Sequence, residues 1–236
     1  MKIYIPTRGR PFDQVTLSFF PEELKKQVVL VIDKDEEDKY KFYHDDQAKM
    51  VVPEDCIGIG PKRKYIVDNT DDPHIVMLDD DLRFYIRKSP TDWHLRYLEK
   101  EEYPAMFGLL EEWMKQGYAH CGISAREGNN RVEDLSVENT RYMRVLAYNL
   151  DAFPDNIEWG RTKIMEDFDM SLQLLKSGKP CKVSYYYAQG QKSSNAKGGC
   201  SEWRTIDVHN EGAQLLADLH PTCVKVVEKQ TKTAWN

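Results

Sequence analysis

His74-Ile75-Val76-Met77-Leu78-Asp79-Asp80-Asp81-Leu82 is the stretch on which the reading of this chain turns. Apolar residues Ile75 to Leu78 run straight into three carboxylates, and Asp71-Asp72-Pro73 forms a turn upstream. An apolar run this short, bounded by turn residues, reads as a strand buried on both faces. Its carboxyl end sets the acids at the rim of the sheet, where open α/β folds bind their ligands. Adjacent carboxylates repel one another unless a cation sits among them. In an extended chain Asp79 and Asp81 point to the same side and could share one hard divalent ion. The competing reading is a solvated acidic turn after a core strand, and the stretch alone does not separate the two.

Working outward, Lys2–Ile5 reads as a first strand and Val28–Ile32 as a buried one ending at Asp33. Met50–Val52 is a third strand, and Pro61 suits the first turn of a helix through Asn69. Helices are also expected over Asp13–Phe20, over a solvated Lys34–Gln47 with few core contacts, and over Pro104–Gln116. Ser89–Tyr103 reads as a polar excursion carrying Trp93 and Tyr97, and Arg126–Val137 as a mobile loop. Strands at Arg83–Arg87, Tyr118–Ser124, Tyr142–Leu150 and Cys181–Tyr187 complete the pattern, with a Gly/Ser/Lys loop at Gln189–Gly199 and a last helix at Glu202–Leu219. Glu166–Lys176 is a helix with acids in its first turn and Phe168, Leu172 and Leu175 on its apolar face. Strands alternating with helices imply a mixed, mainly parallel sheet covered on both faces.

The 236 residues fit one large domain, and 41% hydrophobic with 31% charged residues is a globular composition. A formal net charge of −6 argues against a protein that coats nucleic acid, while leaving room for a local basic groove. No apolar run approaches the ~20 residues that span a bilayer, and Met1–Ile5 is too short for a signal-peptide core. The 5 cysteines lack a CxxC pair and are expected to be buried thiols in a reducing compartment, the cytoplasm by default.

Three further clusters lie where a phosphate-bearing ligand would want them. Thr7-Arg8-Gly9-Arg10 follows the first strand, and arginine suits bidentate phosphate contact. Asp33 ends the second strand, a place where a carboxylate meets ribose or base. Lys62-Arg63-Lys64 opens a helix after Gly60, where the helix N-terminus favours an anion. Each has a plainer reading: a solvated loop, an ordinary strand-end acid, a solvated helix start.

Taken in order, the PTRGR loop, Asp33, the Gly-x-Gly-x-x-Arg segment ending at Arg63, and an apolar strand into Asp79-Asp80-Asp81 resemble a nucleotide-sugar glycosyltransferase of the GT-A (Rossmann-like) fold. Trp159-Gly160-Arg161 leading to Glu166-Asp167 resembles that family's Glu-Asp motif. The layout is most similar to the phage-associated TET-associated glycosyltransferases, which are thought to sugar-modify hydroxymethylated pyrimidines in DNA. The resemblance implies a single domain over 1–236, with a donor-binding part to about 87 and an acceptor and catalytic part to about 220. It also implies Mn²⁺ or Mg²⁺ held by the DxD acids Asp79 and Asp81, with His209 as a third ligand in preference to His220. Thr7, Arg8, Arg10, Asp33, Arg63 and Asp80 would bind a nucleotide-sugar donor, expected to be a UDP-sugar. Asp167 would be the catalytic base of an inverting transfer, with Glu166 beside it; the plainer reading of both is a dipole-stabilising first turn.

Arg126, Arg131, Arg141 and Arg144, with Trp93, Tyr97 and Trp159 as stacking groups, are candidates for a DNA acceptor site. The Lys192–Gly199 loop is a candidate lid. A protein, glycan or small-molecule acceptor is the alternative. So is a nucleotidyltransferase, disfavoured by the arginines in the first loop, or an idle nucleotide-sugar-binding module, disfavoured by the intact acids.

Overall fold

Ile75, Val76, Met77 and Leu78 are each at most 1% exposed, and they belong to strand β4 (His74–Leu78). Val76 and Leu78 enter one apolar core with Ile3, Ile5 and Leu30. Ile75 and Met77 enter another with Tyr4, Val31 and Ile66. Alternate side chains therefore feed opposite faces of the sheet, as a doubly buried strand requires. Each such side chain contributes roughly 1.5–3 kcal/mol by leaving water. The computed structural model describes residues 1–128, 130–191 and 205–227.

Strands β1 (Lys2–Pro6), β2 (Val28–Asp33) and β3 (Ala48–Val52) form with β4 a parallel block ordered β3-β2-β1-β4. Its carboxyl ends all open on one edge. On the other side of β4 the sheet becomes mixed: β9 (Val145–Asn149), β7 (His120–Ala125), β10 (Cys181–Gln191), β5 (Leu82–Ser89) and β6 (Asp92–Tyr97) follow in that order. β10 runs parallel to β7 and antiparallel to β5, and short β8 (Ser136–Glu138) pairs with β10. One α/β sheet thus runs through both the expected donor-binding and acceptor parts.

Helices cover both faces. α1 (Val15–Ser18), α2 (Glu22–Lys25), α3 (Glu37–Tyr43) and α5 (Tyr103–Lys115) give Leu17, Leu24, Tyr40 and Leu110 to the first core. α4 (Ile59–Asp68) and α6 (Glu166–Lys176) give Ile66, Met170 and Leu174 to the second. α7 (Ile206–Leu219) closes the described chain, and no described helix is long and apolar enough to cross a membrane.

Several local expectations need correction. Asp13–Phe20 contains only the single turn α1. α3 is anchored to the core, because Tyr40 is fully buried. Trp93 and Tyr97 lie on a hairpin strand, β6, and not on an irregular excursion. α6 buries Met170 and Leu174, with Leu175 partly buried against the same core, in place of Phe168 and Leu172, because Asp169 and Gln173 on that face find buried polar partners and draw it inward. Cys121 and Cys181 are buried thiols, but Cys56 is half-buried and Cys223 exposed. Cys200 and the candidate lid lie outside the described residues.

Candidate active site

The turn after β4 is tied to the loop after β1. Asp80 is 7% exposed; its carboxylate accepts from Thr7 Oγ1 at 2.6 Å and from Arg10 Nη1 at 2.5 Å. Because Thr7 spends its only proton there, it must accept from Gln14 Nε2 and Tyr40 Oη, both at 2.8 Å. Arg10 also reaches Asp81 Oδ2 at 3.1 Å. Thr7 and Asp80, expected at the donor, are therefore turned inward and hold the loop. Arg10 bridges two of the acids.

Asp33, at the end of β2, accepts from Lys62 Nζ at 2.7 Å and pairs with Arg8 Nη1 at 2.8 Å. Lys62 is buried and also donates to the Thr7 carbonyl. Arg8 forks onto Asp35 at 3.1 Å and stays half exposed, so it is the guanidinium of this loop most open to a ligand. Glu36 caps the turn by accepting from the Gly9 amide at 2.9 Å.

Arg63 joins the two acidic motifs. It is 4% exposed, donates to Glu166 Oε1 at 2.5 Å and lies 3.5 Å from Asp79 Oδ1. Burial pushes its guanidinium down, but Glu166, Asp79 and Asp167 more than offset that and hold its pKa above the ordinary value. A backbone contact brings these segments together: a Cβ on Gly60, in the first turn of α4, would sit 3.0 Å from the Gly160 Cα. Gly160 itself has φ +71°, the left-handed region that favours glycine. Met165, immediately before α6, and Arg144, whose carbonyl accepts from the Asp79 amide, are non-glycine residues in that same region. Such backbone is held by its surroundings and fixes both acids from behind.

Asp79 and Asp81 meet at Gln191, the last residue of β10. Its Nε2 lies 2.7 Å from Asp81 Oδ1 and 3.5 Å from Asp79 Oδ2. Burial, then repulsion from Asp81, Asp167 and Glu166, pushes the Asp79 carboxyl up to about 7 against the pull of Arg63. Its side chain remains 30% exposed, so this is burial in a crevice. Burial and Glu166 likewise push Asp167 up to about 6, with Arg63 opposing. A helix N-terminus favours the ionised carboxylate, but at Asp167 desolvation outweighs it. Asp167 Oδ1 accepts from the Phe168 amide at 2.9 Å, and Oδ2 has no hydrogen-bond partner among the described residues.

A divalent cation fits these groups. Two carboxylate oxygens from Asp79 and Asp81 already converge on one donor atom, and the Asp79 side chain is still 30% exposed in its crevice. Hard cations of the Mg²⁺ type commonly take one or two carboxylates and complete their shell with phosphate and water. No set of three or more His, Cys, Asp or Glu side chains placed to hold a metal occurs among the described residues. His209 is exposed on α7, and no contact joins it to the acids. Of these two candidates His220 is the buried one: its Nε2 donates to Asp169 Oδ1 at 2.7 Å, where Arg161 also pairs. Arg141 stacks on Phe168 at 4.2 Å, Trp159 on Phe153 at 6.3 Å, and Arg144 reaches Gln189 at 3.4 Å, so each of these three acceptor candidates has a side-chain partner of its own.

Sequence reading missed Gln191, the pairing of Lys62 with Asp33 and the Arg161–Asp169–His220 cluster. Gln191 was hidden because β10 was expected to stop at Tyr187. Only its pairing with β5, Gln191 opposite Leu82, carries it to the acids. Lys62 carried a signal, as the first basic residue of α4, but nothing local predicts its burial against Asp33.

A parallel block with arginines and paired carboxylates on the edge where its strands end is an arrangement suited to nucleotide-sugar transfer. The family model described as TET-associated glycosyltransferase matches residues 1–199. The chain belongs to that family and is a glycosyltransferase. It is 26% identical over 215 residues to the beta-glucosyl-HMC-alpha-glucosyl-transferase of Enterobacteria phage T2, covering 85% of this chain and 74% of the relative. To the phage T6 protein of the same name it is 25% identical over 231 residues, covering 92% and 80%. Among solved structures, residues 1–349 of S. aureus TarS in complex with UDP-GlcNAc match with a TM-score of 0.57 at 15% identity, over 93% of this chain and 66% of that one. That likeness shows the fold.

Proposed function

We propose that the protein transfers a sugar from a nucleoside diphosphate sugar, a UDP-sugar in particular, to the hydroxymethyl oxygen of a modified pyrimidine in phage DNA. The observation that carries this reading is the convergence of Asp79, Glu166 and Asp167 around Arg63, with Asp81 joined to Asp79 through Gln191, at the edge where the parallel strands end. The names of the phage T2 and T6 relatives, which print beta-glucosyl-HMC, support an acceptor built on HMC, and the host cytoplasm during infection is where such an enzyme would meet its DNA.

Each group then has a task. Asp33, beside Lys62, offers a carboxylate to the nucleoside, and exposed Arg8 reaches the diphosphate. Asp79 and Asp81 would hold a divalent cation, which supplies Lewis-acid stabilisation of the leaving diphosphate. Asp167 Oδ2 takes the proton of the acceptor hydroxyl as its oxygen bonds to the anomeric carbon. The bond from that carbon to the diphosphate breaks, the electron pair leaves with the diphosphate, and the configuration inverts. Glu166 stays clamped by Arg63 and holds the neighbouring base in place.

The test is to incubate the protein with Mn²⁺ and a panel of nucleotide sugars, with and without hydroxymethylated DNA, following nucleoside diphosphate release and the mass of the DNA. DNA-stimulated release from one donor, abolished by EDTA, is the expected result. Full transfer in chelator would sink the cation assignment, and transfer only to a protein or glycan would sink the DNA acceptor.

A further inference from the structure

The hairpin β5–β6 carries a stacked ladder of rings and guanidiniums. Tyr85 and Tyr97, paired across the strands, stack with centroids 4.9 Å apart. Arg126 lies 4.8 Å over the Tyr85 ring and donates to its hydroxyl at 3.2 Å, while Arg83 lies 5.9 Å from the Tyr97 centroid. Beside this ladder is a cleft of about 470 Å³ bounded by Tyr85, Trp93, Tyr97, Arg126 and Arg131 among its lining residues. Trp93 is 43% and Tyr97 54% exposed. No Asp or Glu among the described residues lines the cleft.

Its charge sets it apart from the donor site. Arg8, Arg10, Lys62 and Arg63 all pair with acids, whereas Arg126 and Arg131 have no carboxylate partner among the described residues. In a chain of net charge −6 this is a local excess of cation. The cleft also adjoins the catalytic acids. The Arg126 amide donates to the Gln189 carbonyl at 2.7 Å, and a Cβ on Gly190 would lie 3.4 Å from the Tyr85 ring and 3.5 Å from Arg126. The next residue, Gln191, is the one bonded to Asp81.

We propose that this cleft is the acceptor-strand subsite: an unpaired nucleobase stacks on Trp93 and Tyr97 while Arg126 and Arg131 hold the adjoining phosphates. The proposal rests on the DNA-acceptor reading above and says where that DNA sits. Stacking platforms interleaved with cations are the means by which proteins hold a single strand. A neutral glycan would also stack on the rings, but its hydroxyls need acceptors as well as donors, and the charged groups of this cleft are donors only. Unstacking the modified base is what would let its hydroxymethyl group reach a carboxylate in a crevice.

The experiment measures binding of a fluorescein-labelled, hydroxymethylcytosine-containing single strand by anisotropy across a salt series, with transfer to the same oligonucleotide and donor binding as parallel readouts. Trp93→Ala should weaken binding about tenfold, and Trp93→Phe should restore most of it. Arg126→Gln with Arg131→Gln should flatten the slope of log K against log salt by about 1.4, and exposed Arg131→Gln alone by about half that. If the wild type binds and modifies the strand while these variants match it, the cleft is not the subsite and the DNA-acceptor reading stands. If the wild type neither binds nor modifies any strand, that reading fails and the subsite with it. Displacement of the oligonucleotide by a neutral oligosaccharide, with transfer to that oligosaccharide, would reassign the cleft to a glycan.

Discussion

Asp79 and Asp167 are carboxyls whose ionisation is opposed by their surroundings, and this makes both rate and stability depend on pH. Burial and neighbouring acids raise them to about 7 and about 6, against roughly 3.9 in an unfolded chain. A folded-state pKa above the unfolded one means that the native protein binds the extra protons. That stability is present below about pH 4 and is lost as pH rises through 6 and 7. The melting temperature in EDTA should therefore fall between pH 5 and pH 8, with Asp79→Asn flattening the fall and Mn²⁺ restoring more at pH 8 than at pH 5. A melting temperature that climbs over the same range would contradict the crowding of these acids. Transfer should rise over this window as the base becomes ionised. Asp167→Asn should lower it by at least ~10²-fold, the usual loss for a positioned general base, with donor affinity little changed. Glu166→Gln should be milder in rate but lower in melting temperature, since it weakens the partner of buried Arg63. A dead Glu166→Gln beside an active Asp167→Asn would reverse the two roles.

At the scale of elements, the site depends on how closely the start of α4 meets the segment before α6. Gly60 and Gly160 touch through their backbones, which lets Arg63 reach Glu166 across 103 residues of sequence. A methyl group on Gly60 meets main-chain atoms that cannot swing aside, so Gly60→Ala should cost about 1–3 kcal/mol and lower transfer by displacing Arg63. Gly58→Ala is a control of a different kind: its Cβ would meet nothing within 4 Å, but its φ of +97° makes that change a matter of backbone strain alone. Thermal melts and kcat for the pair separate steric from conformational cost. Equal wild-type activity in Gly60→Ala would show that the close approach does not position the arginine.

Across the whole molecule, the end of α7 is fastened to the catalytic half through one carboxylate. Asp169 is 2% exposed and takes bonds from Arg161, His220 and Gln173. Because the acceptor is Asp169, His220 carries its proton on Nε2. Asp169→Ala would strand a guanidinium and an imidazole in the interior, and loss of one partner from a buried ionic cluster costs roughly 3–5 kcal/mol. Urea unfolding should register that loss, and the double variant with His220→Leu should recover part of it. Additive losses would mean that Asp169 and His220 do not act together.

The amino-acid sequence by itself determined the features written within a few residues. β4 is recognisable as a doubly buried strand from four apolar residues between a turn and three acids. α6 is bounded correctly because its acidic first turn and the Gly178 and Pro180 beyond its end are local signals. Asp79 and Asp81 were expected to share a side through the period of an extended chain, but Asp80 and Asp81 lie in a turn beyond β4, and it is that turn and Gln191 that bring the two acids together. Only the tertiary structure decided what those acids face. Strand register brings Gln191 to Asp81 across 110 residues, and helix packing sets Arg63 between Asp79 and Glu166. Polar satisfaction of Asp169 and Gln173, not the apolar positions Phe168 and Leu172, chose which face of α6 is buried. It also drew His220 inward and left His209 in solvent. These outcomes depend on which distant groups can meet a buried donor or acceptor, and no window along the chain contains both partners.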